Sequence, residues 1–297
     1  MVTKNAVFMR SVAFRKRLMK VKIERECWSL VTNITYATVP YWYNATFRDL
    51  KASIVMPKVR ESGMRYPLLI WICGGAFKVM DKDVWWPQWM EFARKGVIVA
   101  SIEYRTSNEA VYPAALIDVK SAIRYFKENA EKYAVDADNI FIAGESAGAT
   151  LAALTGVTGK TDCGMEDSDN GNEVRGVIDF YGVVDMAFGG ITDNSNLTAG
   201  AEEQFIGVEG NRSELIREAS AVNYISKHSP PFLIFHGTED HMVSIKQSDM
   251  LYEKLCEAGV RADYYVLEQE GHGADAFYQQ GIMDIIYDFV QSIAEGR

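Results

Sequence analysis

The apolar residues change rhythm partway along the chain. Residues 34–43 and 46–56 are rich in Tyr, Thr, Val and Ile. In the second run Phe47, Leu50, Ala52, Ile54 and Met56 are separated mostly by polar residues. Alternation of this kind marks a half-buried strand, and the break at Asn44-Ala45 predicts a hairpin. After Pro67 the alternation stops. Residues 68–73, 97–102, 140–143, 174–180 and 232–235 are short, almost purely apolar runs. They are too short for helices and read as strands buried on both faces. Between them lie segments of helical period. Residues 114–132 place Leu116, Val119, Ile123 and Phe126 on one stripe, 245–258 do so with Met250, Leu251, Leu255 and Ala258, and 276–294 with Ile282, Ile285, Ile286, Phe289 and Ile293. Strands alternating with helices predict an α/β fold with a mostly parallel sheet covered on both faces.

There is no internal repeat, low-complexity tract or Pro/Gly/Ser-rich linker, so residues 1–297 are expected to form one domain. Residues 1–33 read as an N-terminal arm, basic over its first twenty residues through Lys4, Arg10, Arg15, Lys16, Arg17 and Lys20. The arm lacks the apolar stretch and cleavage site of a secretory signal, and no apolar run is long enough to span a bilayer. Residues 157–173, rich in Gly, Asp and Asn, and 186–229, with a short helix near 212–219, read as insert loops near an active site. A cytoplasmic location is therefore expected, and the sequons at Asn33, Asn44, Asn196 and Asn211 would matter only in a secreted protein.

Composition adds little to the fold but narrows the partners. With 48% hydrophobic and 24% charged residues the chain is ordinary globular protein, and its net charge of −9 disfavours nucleic acid or an anionic membrane as the main partner. Cys27, Cys73, Cys163 and Cys256 are scattered, without zinc-ligand spacing, and read as free thiols rather than a metal site or a disulfide framework. The oligomeric state is not legible.

The chemistry concentrates in Gly144-Glu145-Ser146-Ala147-Gly148, a G-x-S-x-G pentapeptide between the apolar strand 140–143 and a small-residue helix around 150–154. That context calls for a sharp strand-to-helix turn with a nucleophilic serine at its apex, where the helix dipole favours developing negative charge. The serine needs a base. His272, in Gly271-His272-Gly273 between the strand 263–267 and the final helix, is the expected one, with His241 the competitor. His236 closes an apolar strand and reads as structural, and His228 precedes a Ser-Pro-Pro turn. The acid is expected after the strand 232–235, where Asp240 is the choice and Glu239 the next. Backbone donors for an oxyanion are expected from Gly75 and Ala76, in Cys73-Gly74-Gly75-Ala76-Phe77, and from Ala147, which follows the nucleophile. Trp85, Trp86 and Trp89 follow that loop. They read equally as a substrate pocket or as a staple under the next helix.

Taken with Ser101-Ile102-Glu103-Tyr104-Arg105, Tyr112-Pro113-Ala114-Ala115, Asp118-Val119, Ser229-Pro230-Pro231-Phe232 and His236-Gly237-Thr238-Glu239-Asp240, these landmarks resemble the hormone-sensitive-lipase-like carboxylesterases. More closely, the chain resembles the compact bacterial feruloyl and acetyl-xylan esterases, over roughly residues 48–294. The resemblance implies an α/β-hydrolase fold without a large cap domain. It also implies a Ser146–His272–Asp240 triad, an oxyanion hole at Gly75, Ala76 and Ala147, and no cofactor or metal. The implied activity is hydrolysis of short-chain or carbohydrate-linked acyl esters through an acyl-enzyme, with a small-molecule or carbohydrate ester as partner. The family's oxyanion loop reads His-Gly-Gly-Gly, and here Cys73 and Ala76 replace its first and last residues. A serine peptidase or amidase on the same fold is one alternative, although no extra domain or amine-binding acidic site is seen. A non-catalytic ligand-binding protein of this fold is another, although such proteins often lose a triad member.

Overall fold

The computed structural model describes residues 16–22, 27–58, 63–159, 171–188, 200–208 and 210–296. Most of the insert loop expected at 157–173, part of the one at 186–229 and most of the basic arm lie outside the described residues.

The sheet begins with β1 (Trp28–Tyr41) and β2 (Thr46–Pro57), which pair antiparallel from Trp28↔Pro57 to Tyr41↔Thr46. This is the expected hairpin, but longer. Residues 28–33, assigned from sequence to the arm, are sheet instead. Register shifts at Val31/Ile34 and Thr35/Ala37 break the in–out alternation there, which is why the pattern did not show. Six further strands follow: β3 (Tyr66–Ile72), β4 (Ile98–Ile102), β5 (Val135–Glu145), β6 (Gly176–Phe180), β7 (Phe232–Gly237) and β8 (Ala262–Leu267). The order is β1-β2-β4-β3-β5-β6-β7-β8, antiparallel across β1-β2-β4 and parallel from β4 to β8. This is the α/β-hydrolase sheet.

Helices cover both faces. Leu68, Ile70 and Ile72 point to one side and pack with α2 (Ala114–Glu128), α4 (Ala147–Val157) and α7 (Lys246–Glu257). Leu69 and Trp71 point to the other and meet α1 (Trp86–Arg94) and α8 (Gln280–Ala294). Two covered faces remove any need for polar alternation, hence the unbroken apolar runs. The helix expected over 114–132 is two helices, because α2 stops at Asn129, whose side-chain amide donates to the Tyr125 carbonyl, before α3 (Ala130–Tyr133). Between β6 and β7 the described residues form only short helices, α5 (Ala201–Ile206) and α6 (Arg212–Glu218), and a 3₁₀ turn. Among the described residues no helix is long and apolar enough to cross a membrane.

Candidate active site

The parallel strands end on one edge, and the loops that leave β3, β5, β7 and β8 gather there. β5 runs through Glu145 into Ser146, and α4 begins at the next residue. Ser146 is held at φ 52°, ψ −122°, a conformation that side chains rarely adopt, and its N–H donates to the Phe180 carbonyl at 2.9 Å. The turn is tight because α4 lies against the end of β3. A Cβ on Gly148 would sit 2.1 Å from the Ile72 carbonyl oxygen. Ala147 is the first residue of the helix, so its N–H has no intrahelical acceptor and faces the side where the dipole is positive.

Three of the residues singled out from sequence converge here. The Ser146 hydroxyl lies 3.0 Å from His272 Nε2, and His272 Nδ1 lies 2.7 Å from Asp240 Oδ2. Asp240 Oδ1 accepts the N–H groups of Met242 at 2.9 Å and Val243 at 2.8 Å. The competitors do not join them: His241 and Glu239 are exposed and face each other, and His228 is exposed.

His236 closes β7, and it also faces Asp240. It is fully buried, and its Nε2 lies 3.2 Å from Asp240 Oδ2 and 3.0 Å from the Val243 carbonyl. Both neighbours are acceptors, so Nε2 carries the proton and Nδ1 accepts from the Ser248 hydroxyl at 2.7 Å. Burial by itself would push the Asp240 carboxyl up, but hydrogen bonds from His236 and His272 hold it well below the usual carboxylate range. Asp179, on β6 nearby, shows the opposite balance. It is fully buried, its Oδ1 accepts only the Gly182 N–H at 3.0 Å, its Oδ2 has no partner, and burial pushes its carboxyl up to about 6. The spacing of His236 and Asp240, four residues apart across a strand end, was the available signal for the first of these roles.

Behind Ser146, Glu145 accepts from five groups. Oε1 faces the Trp85 indole N–H at 2.6 Å, the Gly74 N–H at 3.4 Å and the Cys73 thiol at 3.6 Å; Oε2 faces the Tyr278 hydroxyl at 2.8 Å and the Tyr181 hydroxyl at 3.1 Å. Burial, reinforced by the Glu145 charge, pushes the Cys73 thiol up to about 12, so it stays a neutral donor. The Tyr104 hydroxyl donates to the Cys73 carbonyl at 3.0 Å. The loop that lacks the family's usual histidine is thus tied at two points. Tyr181 also packs its ring 4.5 Å from that of His272.

The residues expected to supply oxyanion donors divide by position. Ala76 and Ala147 line a narrow cleft with Ser146, Phe77, Val183, Met242 and Val243. Gly75 forms the turn itself, at φ +124°, where a Cβ would lie 2.0 Å from the Val79 carbonyl oxygen. The three tryptophans divide between the two readings. Trp86 and Trp89 belong to α1 and are buried in the core, Trp89 packing 4.6 Å from Trp71, because the amphipathic helix turns both toward the sheet. Only Trp85 reaches the site, stacked 4.1 Å from Tyr278. Among the described residues no group of three or more His, Cys, Asp or Glu could hold a metal ion.

Comparison with known proteins finds esterases. Esterase LipQ of Mycobacterium tuberculosis is 32% identical over 218 residues, 71% of this chain and 51% of the relative. Esterase LipC of the same organism is 28% identical over 214 residues, 70% of this chain and 53% of the relative. The chain thus spans about half the length of these curated relatives. Among solved structures, a truncated carbohydrate esterase from gut microbiota superposes with a TM-score of 0.74 at 29% identity, covering 90% of this chain and 96% of that one. Propionate-bound esterase 2 of Thermogutta terrifontis gives 0.71 at 25% identity, covering 88% and 93%. The BD-FAE family profile matches residues 53–255, which include residues 73–77, Ser146 and Asp240, and the chain therefore belongs to the BD-FAE family, on an α/β-hydrolase fold.

Proposed function

We propose that this chain is a serine carboxylic-ester hydrolase in which Ser146, His272 and Asp240 form the catalytic triad. The observation that carries the reading is the continuous line of hydrogen bonds from the Ser146 hydroxyl through His272 to Asp240. His272 Nε2 takes the hydroxyl proton as Ser146 Oγ attacks the ester carbonyl. The carbonyl oxygen becomes an oxyanion, held by the backbone N–H groups of Gly75, Ala76 and Ala147. The protonated His272 then gives its proton to the departing alcohol, leaving an acyl-Ser146. Water, deprotonated by the same imidazole, releases the acid and restores the hydroxyl. Asp240 keeps Nδ1 protonated and stabilises the imidazolium.

The substrates we infer are short-chain or carbohydrate-linked acyl esters. The narrowness of the cleft beside Ser146 favours a small acyl group, and propionate is bound to the Thermogutta esterase that the chain resembles. The short helices between β6 and β7 favour a bulky alcohol, and a carbohydrate esterase is among the similar structures. A cytoplasmic setting fits the unbridged thiols of Cys27, Cys73 and Cys256. Ser146→Ala is expected to keep the fold and lose hydrolysis of p-nitrophenyl acetate. Retained turnover in that variant would reject the mechanism.

A further inference from the structure

The tip of the β1–β2 hairpin breaks two rules at once. Tyr41, Trp42, Tyr43 and Phe47 cluster there and are exposed, Trp42 at 65% and Tyr43 at 96%. Trp42, Tyr43 and Asn44 also lie consecutively at positive φ, 47°, 56° and 61°. A left-handed backbone costs a side chain such as Trp or Tyr about 1–2 kcal/mol, and hairpin turns of this kind ordinarily use Asn and Gly. Aromatic rings this exposed on a strained backbone bury little surface in the fold itself, which points to contact with something else.

Its place in the sheet narrows what that is. Ala52 pairs with Ile102 at the end of β4, and β2 runs antiparallel, so the residues before Ala52 extend past the edge that carries Ser146. At a strand's rise the turn stands about 20 Å beyond Ile102, and β2 lies three strand spacings, about 15 Å, to one side of β5. The stem is anchored. Arg48 Nη2 donates to Glu109 Oε2 at 2.9 Å, and in the same segment the Ser107 N–H donates to the carbonyl of Phe77, a wall of the cleft, at 2.7 Å. A small ester at Ser146 cannot reach the tip; an extended ligand can reach both.

We propose that Trp42 and Tyr43 form a remote subsite that stacks on the sugar rings of a neutral glycan whose acyl ester is held at Ser146. The proposal rests on the carbohydrate-ester reading of the active site. From Tyr41 to Phe47 the tip carries no charged side chain, and flat aromatic faces are suited to stacking on the C–H faces of pyranose rings. The net charge of −9 works against an anionic lipid surface.

The test is a double variant, Trp42→Asn with Tyr43→Gly, which keeps residues suited to the left-handed turn and removes both rings. Two readouts are compared with the parent: the ratio of kcat/KM on acetylated xylan to that on p-nitrophenyl acetate, and retardation in a native gel containing acetylated xylan. The ratio is expected to fall about tenfold, as for the loss of one or two stacking contacts, and the retardation to disappear, with the thermal midpoint maintained. An unchanged ratio and retardation would overturn the subsite. So would ring-dependent co-sedimentation with phosphatidylcholine vesicles without retardation by xylan, which would point to a membrane instead. A parent protein that cleaves p-nitrophenyl acetate but neither cleaves nor is retarded by acetylated xylan would overturn the subsite and the carbohydrate reading together, leaving ester hydrolysis standing.

Discussion

Two imidazoles lean on the Asp240 carboxylate, and each holds a different part of the site. His272 links it to Ser146, while His236 ties it to the Val243 carbonyl and, through Ser248, to α7. Asp240→Asn would offer an amide where Nδ1–H needs an acceptor, and kcat is expected to fall about ten-thousand-fold. His236→Phe removes a hydrogen bond to a charged group without touching substrate, so kcat should fall about ten- to a hundredfold with KM little altered, read from steady-state kinetics on p-nitrophenyl acetate. Asp179 gives a pH signature. Its carboxyl is raised to about 6 from an ordinary 3.8, so the folded state holds the proton more tightly than the unfolded chain. The stability this confers is complete below about pH 4 and is lost as pH rises through about 6, a change of up to about 3 kcal/mol. Asp179→Asn should therefore gain in thermal midpoint over the parent between pH 4.5 and 7.5, and a pH-independent difference would contradict the account. Ser146 and His272 were legible because their flanking glycines and strand–helix context are local. The Glu145 hub and the second role of His236 were not, since they depend on partners such as Tyr278 and Ser248 that the fold alone brings close.

Among the elements, α4 and α1 show what packing adds to pattern. The sequence marked a helix near 150–154, and α4 starts earlier, at Ala147, because the turn at Ser146 drops straight into it against β3. Gly148→Ala would drive a methyl group into the Ile72 carbonyl, so a loss of both folding yield and activity is expected. The tryptophans near α1 could not be sorted from spacing alone. The face of the helix sorts them, sending Trp86 and Trp89 inward and leaving Trp85 at Glu145. Trp89→Ala should cost about 3–5 kcal/mol in denaturant unfolding while leaving KM for a small ester unchanged. A raised KM at unchanged stability would restore the pocket reading. The hairpin was legible in outline, but its length was hidden by register shifts, and the conformation of its tip has no signature in alternation.

For the molecule as a whole, the apolar runs after Pro67 predict β3 to β7 of the parallel sheet, because a strand covered on both faces carries few polar residues, Ser101 and Asp179 being buried exceptions. What they could not give was the convergence of three loops, leaving β5, β7 and β8, on a single edge. Everything proposed for the chemistry depends on that convergence, and on His272 raising the reactivity of one hydroxyl above that of every other serine in the chain. The most direct measurement is to treat the protein with a fluorophosphonate and locate the adduct by peptide mass spectrometry. One adduct is expected, on Ser146, formed rapidly in the parent protein and lost in His272→Ala. Absence of labelling, or labelling that resides elsewhere or persists without His272, would contradict the account.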